Sequence, residues 1–364
     1  MSTTERPPLP RRPGDRFNGR KIRCGAIGVG RMGRHHARVY ATLPDCELVG
    51  VVDADKDRGE AVAAKHNCQR FDRVDQLIDA GVDVASVAVP TTAHHAVAEQ
   101  LLSAKVACLV EKPLAGDANT ARAIKELSER TGTVLMVGHI ERFNPIMRAM
   151  QQSTRNGLEI VPRFIQVHRV SPMTFRSVDV GVVMDMMIHD LDVVLMLMGG
   201  REPARIQAAG VSVITQHEDI CNAWLEFDTP RGKCVANMSA SRLALKTERV
   251  TRITGENGYI KLDYATKAGT IIRRRANEVQ MVEIREQLRK GADLTSLNWQ
   301  ELVNVEPLVI DDAEPIVMEI KSFLDAVKTG DRPEIDAEAG FANVRTAERI
   351  VQAIRANANV QPRL

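Results

Sequence analysis

The chain has no C-x-x-C spacing among its six cysteines, Cys24, Cys46, Cys68, Cys108, Cys221 and Cys234, so neither a dithiol motif nor a zinc ribbon is written into it. Cys24 and Cys108 fall in strand-like runs expected to be buried, and free thiols in a reducing cytoplasm are the expected state, with no metal. No apolar run approaches the ~18 residues a membrane-spanning helix needs, so no membrane partner is expected. Charge of one sign is not in excess either. The 49 Lys and Arg stand against 47 Asp and Glu, a formal net charge of +2, which gives no basis for nucleic-acid binding. Residues 1–20 set Pro7, Pro8, Pro10 and Pro13 among arginines without an apolar core, so a flexible lead-in is expected there and not a secretory signal.

What is present is ordinary globular material: 364 residues, 44% hydrophobic and 26% charged. That length accommodates two domains. The pattern changes near residue 140, which divides the chain into residues 21–140 and residues 141–364. The last helix, 338–357, is expected to pack back on the first domain.

From Lys21 the pattern is strand, glycine turn, helix, strand. The run Ile22 to Ile27 leads into Gly28-Val29-Gly30-Arg31-Met32-Gly33, and a second strand, Leu48 to Val52, ends at Asp53. Gly28 permits the tight turn, Gly30 lets the backbone approach a pyrophosphate, and Gly33 lets the helix pack close to the strand. The helix N-terminus offers N–H groups and a positive dipole end to phosphates, so Arg31 and Met32 belong to the same binding loop. Asp53 stands twenty positions after Gly33, where an acid accepts hydrogen bonds from ribose hydroxyls. A carboxylate there would repel a 2′-phosphate, which favours NAD; Lys56 and Arg58 leave NADP as the alternative.

The alternation continues through strand 82–89, which ends at Pro90-Thr91-Thr92, and then a helix with His94 and His95. The strand 106–110 ends at Glu111-Lys112-Pro113, and helix 117–130 precedes the strand 134–137. Such alternation predicts a doubly wound parallel sheet, an α/β Rossmann domain. Pro90, Thr91, His94, Glu111 and Lys112 then fall at carboxyl ends of strands, where such sheets bind ligands. Adjacent histidines on a helix diverge by roughly 100°, so His35-His36 and His94-His95 are poor chelates.

Beyond residue 141, strand-like runs follow one another: 163–170, 206–214, 220–228, 234–241, 249–254, 258–264, 269–274 and 279–284. They predict an α+β domain with a large, mostly antiparallel open sheet, whose exposed face suits homodimer or homotetramer contacts. One apolar helix interrupts them, Val182 to about Met198. It carries Asp185 and His189 four apart, hence on one face, with Asp192 continuing the stripe. A carboxylate orients an imidazole and raises its pKa, which suits proton transfer; a satisfied structural pair is the competing reading.

The glycine turn, Glu111-Lys112-Pro113 and Asp185-x-x-x-His189 together resemble the Gfo/Idh/MocA oxidoreductase family, over essentially the whole chain from Lys21. The resemblance implies that Lys112 and His189 flank the nicotinamide and the oxidised carbon, with Asp185 orienting His189. Residues 137–145, 179–192 and 217–220 are similar to one branch, the bacterial UDP-N-acetylglucosamine 3-dehydrogenases, which act with an aminotransferase in lipid A diamino-sugar synthesis. That implies a nucleotide-sugar substrate, with Arg169 and Arg176 as candidates for its diphosphate. Met187 and Ile140 depart from the wider family and imply a reshaped sugar pocket. The alternatives are a dehydrogenase of a free sugar or inositol, a reductase of a linear tetrapyrrole, and a non-catalytic NAD-binding regulatory protein.

Overall fold

Strand and helix alternate from Ile22 onward because each apolar strand run closes on a turn signal and reopens on a helix cap. The computed structural model describes residues 17, 19–155, 160–175, 178–275, 278–295 and 297–358. The segment before Phe17, and Arg176, lie outside the described residues.

Two units form. The first runs to Phe143 and includes Leu191–Leu195 and Ala313–Arg349; the second comprises Asn144–Asp190 and Met196–Asp312, with the chain from Ile350. The division at residue 140 read from the sequence therefore treats as one stretch a region that the fold distributes between both units.

The first unit holds strands β1 (Ile22–Ile27), β2 (Cys46–Val52), β3 (Gln69–Phe71), β4 (Val84–Val87), β5 (Ala107–Glu111) and β6 (Leu135–Gly138). They form one sheet in the order β3-β2-β1-β4-β5-β6. Every pairing is parallel. Helices α1 (Gly33–Thr42), α2 (Lys56–His66), α3 (Val74–Asp79), α4 (His94–Ser103) and α5 (Ala118–Thr131) make the crossovers. All four residues of β4 and of β6 are buried, as strands covered on both faces must be. Asp55 caps α2 and Asp117 caps α5 through side-chain bonds to Arg58 N–H and Thr120 N–H.

In the second unit, α6 (Pro145–Arg155) and β7 (Pro162–Val170) precede a π-helical turn, Val183–Met187, which runs directly into α7 (Ile188–Leu197). Strands β8 (Arg205–Val211), β9 (Ile220–Thr229), β10 (Gly232–Ser241), β11 (Glu248–Gly255), β12 (Gly258–Asp263) and β13 (Ala268–Arg274) follow. The sheet order is β14-β13-β12-β11-β7-β10-β9-β8, where β14 is Val303–Pro307. It is antiparallel except for the parallel pair β7/β10. Along β9 the residues Cys221, Ala223, Leu225 and Phe227 are buried and their neighbours are not, so one face is open. On that open face the rings of Phe164 and Trp224 lie 5.7 Å apart.

The expected strand 279–284 is instead helix α8 (Glu278–Arg289). Met281, Ile284 and Leu288 repeat at helical spacing among Glu, Gln and Arg, good helix formers, and that period outweighs the alternation of Val279 and Met281. Strand β8 ends at Val211, short of the expected 214, because the N–H groups of Val213, Ile214 and Thr215 turn onto the Asp219 carboxylate. Helix α9 (Pro315–Thr329) opens with proline at its first position, and α10 (Ala337–Ala358) is the last element. The N-terminal part of α10 belongs to the first unit, where Gly340 approaches Val137 and Leu114. Among the described residues, no helix is long and apolar enough to cross a membrane.

Candidate active site

The sheet order reverses between β1 and β4, and the loops leaving these strands meet there. Gly28 has φ +77°, a left-handed conformation that glycine adopts freely. A Cβ on it would lie 2.7 Å from the Ala88 carbonyl oxygen, and one on Gly33 would lie 1.7 Å from the Gly28 carbonyl oxygen. Both positions therefore exclude side chains. The space in front of Gly30 is open, with nothing within 4 Å of a Cβ there. Helix α1 begins just beyond and has no acid in its first turn, which leaves its positive end available to a phosphate. Arg31 is exposed and Met32 half-buried on this loop.

Gly28, Gly30, Asp53, Arg58, Val89 and Pro90 line a cavity of about 550 Å³ beside this turn. Asp53 is buried, 4% exposed. Its Oδ2 accepts the Val29 N–H at 2.7 Å, so the acid also holds the glycine loop in place. Burial alone would raise its pKa, but Arg58 and the N–H groups of Asp55 and Val29 pull it below the usual carboxylate value. Arg58 forks onto it, Nε to Oδ2 at 3.0 Å and Nη2 to Oδ1 at 2.7 Å. The expected pocket for NAD is thus present in its parts: an open glycine loop, a free helix end and an ionised acid.

The next loop meets its neighbour at His94. Its ring is buried, with Nε2 3.0 Å from the Val89 carbonyl oxygen and Nδ1 3.0 Å from that of Pro113. Burial pushes its pKa down, so the ring is neutral at neutral pH and donates one N–H to one of the two carbonyls. The ring lies between the Pro90-Thr91 turn and the Glu111-Lys112-Pro113 turn and hydrogen-bonds one of them; the Lys112–Pro113 bond is cis. Lys112 is half-buried at the end of β5. His36, from one of the adjacent pairs dismissed as chelates, is fully buried and joins Glu111 Oε1 through Nε2 at 2.9 Å.

In the second unit, Asp185 lies on the π-helical turn and His189 on the first turn of α7, both half-buried. The Ile188 N–H reaches back to the Val183 carbonyl, five residues away. The expected single α-helix thus contains a wider turn, a feature frequent at functional sites. Glu218 anchors its start: its carbonyl accepts the Val182 N–H at 2.9 Å and its Oε1 the Val183 N–H at 3.3 Å. A Cβ on Gly181 would lie 1.9 Å from that Oε1. Glu218 and Asp219 stood out in the sequence as part of 217–220; their work of shaping the chain before Asp185 needed the fold to become visible.

The acids flanking His189 have partners. Asp190 pairs with Arg169, Nη2 to Oδ1 at 3.1 Å, both buried. Arg169 was expected to reach a substrate diphosphate; its guanidinium is instead a buried fork on Asp190. Within the first unit, Arg142 grips Asp192, Nε to Oδ2 at 2.7 Å and Nη2 to Oδ1 at 2.6 Å. Asp192 is therefore an ion-pair partner for Arg142, and the stripe read through Asp185, His189 and Asp192 divides in two.

Residues 22–139 match the family model of the Gfo/Idh/MocA oxidoreductase family's NAD-binding Rossmann fold, and residues 173–361 match that of its C-terminal alpha/beta domain. A UDP-N-acetylglucosamine 3-dehydrogenase of Acidithiobacillus ferrooxidans is 38% identical over 258 residues, 71% of this chain and 79% of the relative. The solved structure of the enzyme of that name and organism superposes with a TM-score of 0.80 at 33% identity, covering 92% of this chain and 98% of that one. An inositol 2-dehydrogenase of Rhizobium meliloti is 31% identical over 199 residues, 53% of this chain and 59% of the relative. A levoglucosan dehydrogenase solved with NADH shares the fold, with a TM-score of 0.77 at 16% identity. With both family domains matched in order along the chain, the protein belongs to the Gfo/Idh/MocA family of NAD-binding oxidoreductases.

Proposed function

We propose that the protein oxidises the C3 hydroxyl of UDP-N-acetylglucosamine to the 3-oxo sugar with NAD. The observation that carries this reading is the likeness to the Acidithiobacillus enzyme along 98% of its chain, at 33% identity. Lys112, Asp185 and His189 are all retained, which favours a working enzyme over a regulatory NAD-binding protein.

NAD, when bound, accepts the hydride from the carbinol carbon. His189 takes the hydroxyl proton and Asp185 orients its ring. Lys112 donates a hydrogen bond to the same oxygen and stabilises its developing negative charge. The glycine loop and the end of α1 hold the pyrophosphate, and Asp53 accepts the adenosine ribose hydroxyls. The product is a ketone, a substrate for transamination, so a pathway aminotransferase is the proposed partner. The open face of the second sheet is the proposed homo-oligomer surface, and free thiols at all six cysteines fit work in the cytoplasm.

The test is NADH formation by pure protein with NAD and UDP-N-acetylglucosamine, with glutamate and a 3-oxo-sugar aminotransferase added to draw off the ketone. Turnover with the nucleotide sugar, and little with inositol or glucose, is the expected result. Turnover on inositol or glucose alone would transfer the protein to the free-polyol branch.

A further inference from the structure

One buried acid has no part in the chemistry above. Glu319 is buried on α9 together with the apolar residues Ile316, Ile320, Phe323 and Leu324. It is 0% exposed, and neither of its carboxyl oxygens has a hydrogen-bond partner among the described residues. Its carboxyl, a Glu111 oxygen and a ring nitrogen of His36 all lie within 4.8 Å of one another.

One arrangement of protons uses every donor in this cluster. The Tyr40 hydroxyl lies 2.8 Å from Ser86 Oγ, which lies 2.9 Å from His36 Nδ1. His36 Nε2 is 2.9 Å from Glu111 Oε1. With a neutral imidazole, Tyr40 donates to Ser86, Ser86 donates to Nδ1, and Nε2–H donates to an ionised Glu111. Every donor is then used and Glu111 is the acceptor. A second carboxyl beside it in the same dry site cannot also ionise. The one carrying a proton gains a donor, and Glu111 has lone pairs left to receive it.

We propose that Glu319 is a positioning residue that stays protonated and shares its proton with Glu111, fixing the carboxylate from which the Lys112 turn departs. Burial, and next the charge of Glu111, push the Glu319 pKa well above the ordinary carboxyl value. Glu111 moves the other way: burial would raise its pKa, but the His36 hydrogen bond and Lys112 hold it low. Opposite shifts are what one shared proton between two carboxyls produces. A metal ion is the competing occupant of such a trio, but His36 already uses both ring nitrogens on Ser86 and Glu111.

The inference rests on the dehydrogenase reading only for its kinetic arm; the spectroscopic arm needs no turnover. Infrared spectra of the full-length protein at about pH 7 are expected to show a protonated carboxyl band that Glu319→Gln removes, since a buried glutamic acid can stay neutral to about pH 8. Glu319→Gln keeps a donor toward Glu111 and is expected to hold kcat within about twofold of wild type. Glu319→Met fills the space without a donor and is expected to fold, to bind NAD normally and to lose roughly 10- to 100-fold in kcat. A band unchanged in Glu319→Gln, equal kcat losses in both variants, or a stoichiometric metal lost from Glu319→Gln would each overturn the proposal. If no substrate turns over, the infrared band and metal content decide it alone.

Discussion

Arg58 grips Asp53 through two hydrogen bonds of 3.0 and 2.7 Å, and Val29 and Asp55 fill the other approaches to that carboxylate. Asp53 therefore does two things at once: it holds the glycine loop, and it occupies Arg58, a cation lining the same cavity. Ribose hydroxyls must compete with Arg58 for Asp53, whereas a 2′-phosphate would draw Arg58 to itself. Arg58→Ala is predicted to shift the NAD-to-NADP affinity ratio toward NAD by about tenfold, or ~1.4 kcal/mol. Calorimetric titration with both dinucleotides reads this directly, and an unchanged ratio would remove Arg58 from cofactor choice.

Lys112 sits where β5 ends, at a turn where Glu111 Oε2 accepts the Lys112 backbone N–H at 3.3 Å and His94 Nδ1 lies 3.0 Å from the Pro113 carbonyl oxygen. Lys112→Ala should therefore leave the turn and the glycine loop intact. The prediction is a loss of roughly 10²- to 10⁴-fold in kcat with NAD affinity nearly unchanged. Steady-state kinetics beside NAD titration make the comparison; activity near wild type would refute the proposed role.

Arg142 and Asp192 form a buried bidentate pair, with side chains 8% and 1% exposed. Removing one partner strands a charge in the interior. Asp192→Ala is predicted to destabilise the protein by about 3–5 kcal/mol, and a double replacement by Met and Leu by less. Urea unfolding at constant slope measures both, and a double variant weaker than the single one would contradict the desolvation argument.

Asp219 is fully buried and accepts three backbone N–H groups and the Thr215 hydroxyl. Burial alone would raise its pKa; the donors at Ile214, Thr215 and Val213 overcome that and drive it far below the usual value. A depressed native pKa stabilises the fold fully above the unfolded value of about 3.9, and that stability drains away as pH falls below it. Asp219→Asn should cost about 1–3 kcal/mol at neutral pH. The gap from wild type should shrink on acidification below about pH 4. Denaturant melts at both pH values check the sign, and a gap independent of pH would show that the carboxylate charge is not what holds the loop.

Local signals carried much of this protein into view. The glycine turn was legible because Gly28 adopts a positive φ and Gly33 stands where a side chain would collide with the Gly28 carbonyl, constraints that act within a few residues. The parallel sheet was legible because strands buried on both faces are predominantly apolar, as Leu135–Gly138 is and as Val84–Val87 is apart from Ser86. At 279–284 the local pattern misled, since Met281 alternates with Val279 but also repeats at helical spacing with Ile284 and Leu288, and the helix formers around them decided the outcome.

Contacts between distant residues were a different matter. Nothing near Asp190 or Asp192 in sequence announces Arg169 or Arg142, although buried acids on an apolar helix do announce that partners exist. His36 read only as half of a poor chelate, and its contacts with Ser86 and Glu111 come from distant strands. Glu319 left a trace, a lone acid on an otherwise apolar stripe, but its meaning depends on a strand more than two hundred residues earlier. Backbone propensity and steric exclusion act along the chain and so can be read from it. Proton sharing, ion pairing and pKa depend on which groups the folded chain places within a few ångströms, and only the tertiary structure decides that.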